Sequence, residues 1–441
     1  MQQDATVIRP PRGVALRLRH PGLPAVAAFV GLVAIFVAAI VLTADAAAAP
    51  SFLVPGGRRE FPDWLAGPLA GLGEPTTWDG FGILLLVLFG GYLLVLAGAR
   101  AITPRTAIGA IVAAHVVFLL GPPLMSADVF GYVGFARLGA LYHLSPYVDG
   151  TAAVPHDPTA PFIRWHNALS PYGPLFTLMS YTVVPLGVAG ALWAFKCVTA
   201  LASLGLIALV WRFCARRGVD PVLPALFVGL NPALLVFEVG GGHNDALITL
   251  LGVGGLLLAL DGRPGLGAGG ALAAAGAKVS SAVLVPFVIL ASPDRRRAVV
   301  ASAIAAVVVV VAALVAFGGD ASGMLDTIRN MQRQVALHSV PRAVSGALGY
   351  SALTAPVRAA SIVVLAATVS WALTRAWRRI DPIGAAGWAT LAVLCTTAWL
   401  LPWYITWLLP LAALSRDRRL RAATLAFTAY VLATRVTFLL A

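Results

Sequence analysis

The chain has 441 residues, 59% of them hydrophobic and 11% charged, with a mean hydropathy of +0.88. Soluble domains carry charge on roughly a quarter of their residues, so this chain cannot furnish a water-facing surface, and a cytosolic enzyme is excluded. Its 31 Lys+Arg against 18 Asp+Glu give a net +13; in a polytopic chain such an excess marks basic cytoplasmic loops, and no nucleic-acid partner is expected.

A membrane-crossing helix needs about 20 apolar residues, and basic loops stay inside. Residues 1–23 carry Arg9, Arg12, Arg17 and Arg19 and read as a cytoplasmic N-terminus. The apolar run that follows is too long for a signal peptide and is taken as an uncleaved first span, 24–48. A polar outer loop leads to span 2 (81–99), an inner turn with Arg100 and Arg105, and span 3 (107–124). The segment 126–187 then starts on the outer face. Within it, 176–186 is read as an interfacial helix, because counting it as a span would put Arg212, Arg216 and Arg217 outside.

Spans 4 (190–213), 5 (221–238) and 6 (246–260) follow. Arg263 and the Arg295–Arg297 cluster then bracket an apolar stretch interrupted at Gly276 and Lys278. Two basic ends demand an even number of crossings, hence two short helices meeting near Lys278, where broken helices line a cavity. Span 9 (298–317), a second outer loop at 318–349, and spans 10 to 13 (353–374, 384–400, 402–414, 422–440) complete the thread. The expectation is an all-α polytopic membrane protein with about 11–13 crossings. No internal repeat is visible, which disfavours inverted-repeat transporters. Cys197, Cys214 and Cys395 are too scattered for a disulfide framework or a metal site.

Chemistry must therefore lie in loops or in a cavity among the spans. At the outer end of span 3, Ser126-Ala127-Asp128 precedes an amphipathic stretch with Tyr132 and Arg137. A carboxylate beside apolar surface has a raised pKa and can take a proton from a hydroxyl, so Asp128 is a candidate general base. The same pattern also describes a helix cap, and both readings stand. Tyr147, Trp165, His166, Asn167 and Tyr172 follow in one loop. Their aromatic faces and planar polar groups suit sugar rings; belt aromatics at the membrane interface are the plain alternative. Beyond Asn231-Pro232 and Glu238, the run Gly240-Gly241-Gly242-His243-Asn244-Asp245 puts three hydrogen-bonding groups at a cavity mouth. A simple Gly turn with a helix cap is the alternative there.

Lys278 reads as the one lysine deep in an apolar segment, where a charge costs about 3 kcal/mol or more. It is a candidate holder of a lipid-linked phosphate, unless it snorkels to the interface. Arg329 and Arg333 in the second outer loop break the positive-inside pattern and are further phosphate candidates. Pro402-Trp403-Tyr404 and Trp407 form a kinked aromatic stretch, with interfacial anchoring as the alternative.

These motifs together resemble a family. Asp128, then Gly139 with Ser145-Pro146-Tyr147, then Ser170 to Leu175 look like the first large loop of the GT-C glycosyltransferases that use polyprenyl-phosphate sugars. Asn231-Pro232, Gly241 to Asp245 and Pro402-Trp403-Tyr404 with Trp407 narrow the likeness to the polyprenol-phosphate-mannose-dependent α-1,6-mannosyltransferases of actinobacterial lipomannan and lipoarabinomannan synthesis. The resemblance implies a GT-C-like bundle over 107–441 behind two N-terminal spans at 24–106, with interfacial helices in the outer loop.

It also implies a plasma-membrane inverting transferase acting on the extracytoplasmic face, with Asp128 as base. Tyr132, Tyr147, Trp165, His166, Asn167, Tyr172, His243, Asn244, Asp245, Trp403 and Tyr404 would bind donor or acceptor. Lys278, Arg329 and Arg333 would hold the phosphate. Its partners would be a polyprenyl-phosphate sugar, a lipoglycan or oligosaccharide acceptor, and membrane lipid. Many metal-using relatives carry an acidic pair in this loop, whereas here Ala127 and Phe130 flank Asp128-Val129. No cofactor is expected, with a divalent metal left open. Transfer of another polyprenyl-phosphate sugar (arabinose, glucose or galactose) and a flippase of lipid-linked sugars are the competing functions.

Overall fold

The computed structural model describes residues 22–48 and 50–437. The N-terminal arginines and the end of the last expected span lie outside the described residues. The fold is all-helical. Helix α1 (Leu23–Ala47) leads through a loop with the single turn α2 (Asp63–Ala66) to α3 (Trp78–Gly98) and α4 (Pro104–Leu120). The outer segment holds α5 (Asp128–Tyr142) and α6 (Pro174–Tyr181). Next come α7 (Gly187–Arg216), α8 (Val222–Gly229), α9 (Asp245–Leu260), α10 (Pro264–Ala277), α11 (Val285–Ala291) and α12 (Arg295–Phe317). The second loop folds into α13 (Gly323–Arg333) and α14 (Val340–Ala347). The chain ends with α15 (Ala355–Trp377), α16 (Pro382–Thr396), α17 (Leu409–Leu414) and α18 (Arg418–Ala433).

Among the described residues, five stretches are long and apolar enough to cross a membrane: Leu23–Ala47, Trp78–Ala101, Pro174–Arg216, Arg295–Arg333 and Ala355–Trp377. Other expected spans are shorter apolar helices, such as Pro104–Leu120, Asp245–Leu260 and Pro382–Thr396. The shortening has local causes. Pro232 and Lys278 break what would be continuous helices, and Pro402 opens a tight 3-10 turn ahead of α17. Helix α6 has only eight residues, about 12 Å at 1.5 Å per residue, and cannot cross a core of about 30 Å by itself.

Two kinds of packing join the helices. Small residues let backbones approach: Gly31 of α1 faces Gly91 of α3, where a Cβ on either would collide with the other's carbonyl. Elsewhere, breaks in one helix are repaired by another. Pro232 has no N–H, and the amide of Asn231 turns back to the Val228 carbonyl (3.3 Å), so the Phe227 carbonyl loses its helical donor. The hydroxyl of buried Tyr92 donates to it instead, at 2.7 Å. Replacing Tyr92 with Phe should lower stability by about 1–2 kcal/mol, read as an earlier unfolding midpoint in detergent, because the carbonyl is left unpaired in an apolar interior. An unchanged midpoint would remove this account.

Basic turns gather at one end of the bundle. Arg216 and Arg217 pair with Asp261 (3.7 and 3.5 Å), Arg379 donates to the carbonyls of Ser292 and Pro293, and Arg295 donates to that of Trp377. Helices α9 and α10 run antiparallel between that end and the opposite one, so Asp245 and Lys278 meet far from the arginines. Helices α12 and α15 bury only Ala298 and Ser302, and Ala372 and Ala376, respectively; their other faces are Val-rich or otherwise apolar and suited to lipid.

Candidate active site

Asp128 sits where three segments converge beyond α4. The amide of Leu124 donates to the Gly240 carbonyl (3.0 Å), and that of Met125, at a left-handed φ of 58°, donates to Leu53 (2.6 Å). Ser126 Oγ then accepts the Asp128 amide at 3.0 Å. The helix cap is Ala127, which offers no side-chain bond; Asp128 is the first residue inside α5. The capping alternative therefore fails. Its carboxylate, 19% exposed, lies 3.7 Å from Nδ1 of His243. Burial lifts the Asp128 carboxyl to about 6, opposed by the charge of Lys278 and the Ser126 hydrogen bond and reinforced by Asp245.

The turn Gly240–Asn244 delivers the second half of the site. Gly242 takes φ 72°, a conformation that favours glycine. His243 is fully buried, stacked on Trp403 with ring centres 3.6 Å apart, and its Nδ1 lies 3.5 Å from the Tyr132 hydroxyl. Burial, with the field of Lys278, holds this imidazole well below its ordinary pKa, so it is neutral beside Asp128. Asp245 accepts from Lys278 Nζ at 2.7 Å and from the Trp407 indole at 2.6 Å. Lys278 also faces the rings of Tyr404 (4.9 Å) and Trp407 (5.4 Å), which stack at 4.4 Å. Glu238 lies beneath, accepting from the Ala246 amide at 2.5 Å.

Several buried polar atoms here have no partner: His243 Nε2, both amide atoms of Asn244, Asp245 Oδ2 and Thr249 Oγ1. Buried polar atoms are almost always hydrogen-bonded, so a cluster of orphans beside a carboxylate with a raised pKa sets this part of the fold apart. Among the described residues no group of three His, Cys, Asp or Glu converges on a metal position.

The structure brings together Asp128, Tyr132, Tyr172, His243, Asn244, Asp245, Lys278, Trp403 and Tyr404. Tyr132 and Tyr172 meet edge to face at 4.9 Å. At 7% and 9% exposure, Trp403 and Tyr404 are too buried for interfacial anchors. Tyr147 is buried as a strut, donating to the Tyr172 carbonyl and sharing a bond with Thr177. Trp165 and Asn167 are exposed, and His166 contributes its carbonyl to residues 151 and 152. Arg329 pairs with Asp326 one turn back, both largely exposed, and Arg333 is exposed on the same helix.

One expectation is corrected. Lys278 is not the one lysine deep in an apolar segment, since Lys196 lies wholly buried within α7. Thr406 also joins the site, and Trp407, expected only as part of a kinked aromatic stretch, turns its indole inward; a tryptophan next to such a run carries the same signal whether it points inward or toward lipid.

Residues 25–294 match the family model described as alpha-(1->6)-mannopyranosyltransferase, N-terminal domain, and residues 336–436 match MptB C-terminal domain. The alpha-(1->6)-mannopyranosyltransferase A of Mycobacterium tuberculosis is 28% identical over 395 residues, covering 80% of this chain and 74% of the relative. The protein of the same name from Corynebacterium glutamicum is 32% identical over 191 residues, 40% of this chain and 36% of the relative. No solved structure matches the chain.

Proposed function

Because the chain belongs to the alpha-(1->6)-mannopyranosyltransferase family and is a glycosyltransferase, we propose that it moves mannose from a polyprenyl phosphate to a mannan or lipoglycan acceptor, with inversion, on the outer face of the plasma membrane. The carrying observation is Asp128, a carboxylate 19% exposed and lifted to about 6, beside the turn whose His243, Asn244 and Asp245 carry unpartnered buried atoms. Asp128 removes the proton of an acceptor hydroxyl. The resulting oxygen attacks the anomeric carbon, the bond from that carbon to the phosphate oxygen breaks, and the lipid phosphate leaves with both electrons. The leaving group is already good, so positioning and charge stabilisation suffice.

Lys278 lies 2.7 Å from Asp245, and a phosphate approaching it competes with Asp245 for its ammonium. Trp403, Tyr404, Tyr132 and Tyr172 supply aromatic faces for the sugars. The outward orientation is supported by the basic turns at the opposite end of the bundle. Purified protein supplied with polyprenyl-phosphate mannose and an oligomannoside should yield an acceptor one hexose heavier by mass spectrometry. A product only from another polyprenyl-phosphate sugar would replace mannose, and no product from any of them would overturn the reading.

A further inference from the structure

Lys196 lies in the middle of an apolar helix, fully buried, and none of its hydrogen bonds goes to a carboxylate. Its Nζ faces three backbone carbonyls: Phe118 at 3.1 Å, Pro122 at 3.3 Å and Gly240 at 3.1 Å. An ammonium has three N–H donors, so the match is complete. The acceptors explain why it is needed. Phe118 is in the last turn of α4, and the residues that would donate to the carbonyls of Phe118 and Leu119 are Pro122 and Pro123, which have no N–H. Gly240 opens the turn that carries His243.

The lysine therefore ties the end of α4, from which Asp128 is reached, to the turn from which His243 is reached. Its stem presses on the same joint. A Cβ on Gly242 would lie 3.2 Å from Lys196 Cγ and 3.6 Å from a methyl of Val129, the residue after Asp128. One turn along α7, Thr199 Oγ1 donates to the His243 carbonyl at 2.6 Å, and one turn further Ser203 bonds His115 of α4 at 2.9 Å. Lys196, Thr199 and Ser203 thus form a polar stripe at i, i+3, i+7 on the face of α7 that meets the site.

We propose that Lys196 is a positioning residue for sugar transfer: it touches neither substrate nor reacting atoms, and it fixes Asp128 against His243 by clamping their two backbone segments together. This rests on Asp128 being the base. The test uses the full-length protein in detergent. In Lys196→Met, kcat should fall about 100-fold while KM for polyprenyl-phosphate mannose moves by less than about threefold, as expected when the reacting groups are misplaced but binding is kept. Amide hydrogen exchange should quicken in residues 121–131 and 238–246 without substrate present, and not in α12 or α15. Cys197→Ala, the exposed neighbour, is the control.

Lys196→Gln keeps two donors and should retain more of kcat than Met does. If neither lysine variant folds, Thr199→Val makes the same comparison, with a smaller kcat loss and faster exchange at 238–246. A folded variant with wild-type kcat, or with unchanged exchange in both segments, overturns the clamp. An inactive wild type with the expected exchange pattern overturns instead the assigned reaction.

Discussion

Asp128→Asn should lower kcat about 10³-fold, within the range that a positioned general base contributes. The amide is nearly the same size, the carboxylate is not a helix cap, and the Ser126 hydroxyl beside it can serve an amide as well as a carboxylate. The protein should therefore fold and bind donor as before, and the loss should appear in kcat. The pH dependence supplies a second signature. A base must be deprotonated to act, and burial raises the carboxyl to about 6. Wild-type kcat/KM should climb with pH, reach half its plateau near 6, and level above it. That limb should vanish from the residual activity of the Asn variant. Near-normal turnover by Asp128→Asn would remove Asp128 from the chemistry.

The second large effect concerns the Asp245–Lys278 pair. Asp245 is completely buried, whereas the Lys278 side chain keeps 15% of its surface exposed. Removing the lysine as Lys278→Met leaves a buried carboxylate with only the Trp407 indole for company, at a cost of about 3 kcal/mol, the lower end for a broken buried pair. Removing the acid as Asp245→Asn costs less, because the ammonium can turn toward water. The double variant should regain most of the unfolding midpoint lost in Lys278→Met, since no unpaired charge remains. It should not regain turnover, because the cation that meets the leaving phosphate is absent. If activity returns along with stability, the lysine is structural and the phosphate is held elsewhere.

Much of this was readable in the sequence, for reasons that can be stated residue by residue. Basic clusters such as Arg295–Arg297 and Arg375–Arg379 mark helix ends because charge is expelled from hydrocarbon, and the two helices meeting at Lys278 follow from the same rule. Asp128 and His243 are readable because polar residues at the ends of apolar runs are expensive and few. The aromatic residues were less so: Trp165 and Trp403 have the same composition signal, yet one faces outward at 53% exposure and the other stacks on a buried histidine. Lys196 was missed because its partners are carbonyls from remote segments, and a backbone acceptor leaves no mark in a sequence. Arg329 and Arg333 read as phosphate ligands from their unusual place in an outer loop, and the structure places them on an exposed helix, the first paired with an acid one turn away.

The Asp245–Lys278–Trp407 contact joins residues of two separately recognised stretches, the first two within 25–294 and the third within 336–436. His243 and Trp403 repeat the arrangement. Neither stretch can then evolve, or be exchanged with that of a relative, as an independent part. A chimera that keeps one parent's Asp245 turn and takes the other parent's aromatic segment inherits half an ion cage and half a ring stack. Interchangeability of these pieces between family members is thus limited by the contacts at their shared seam as well as by overall identity.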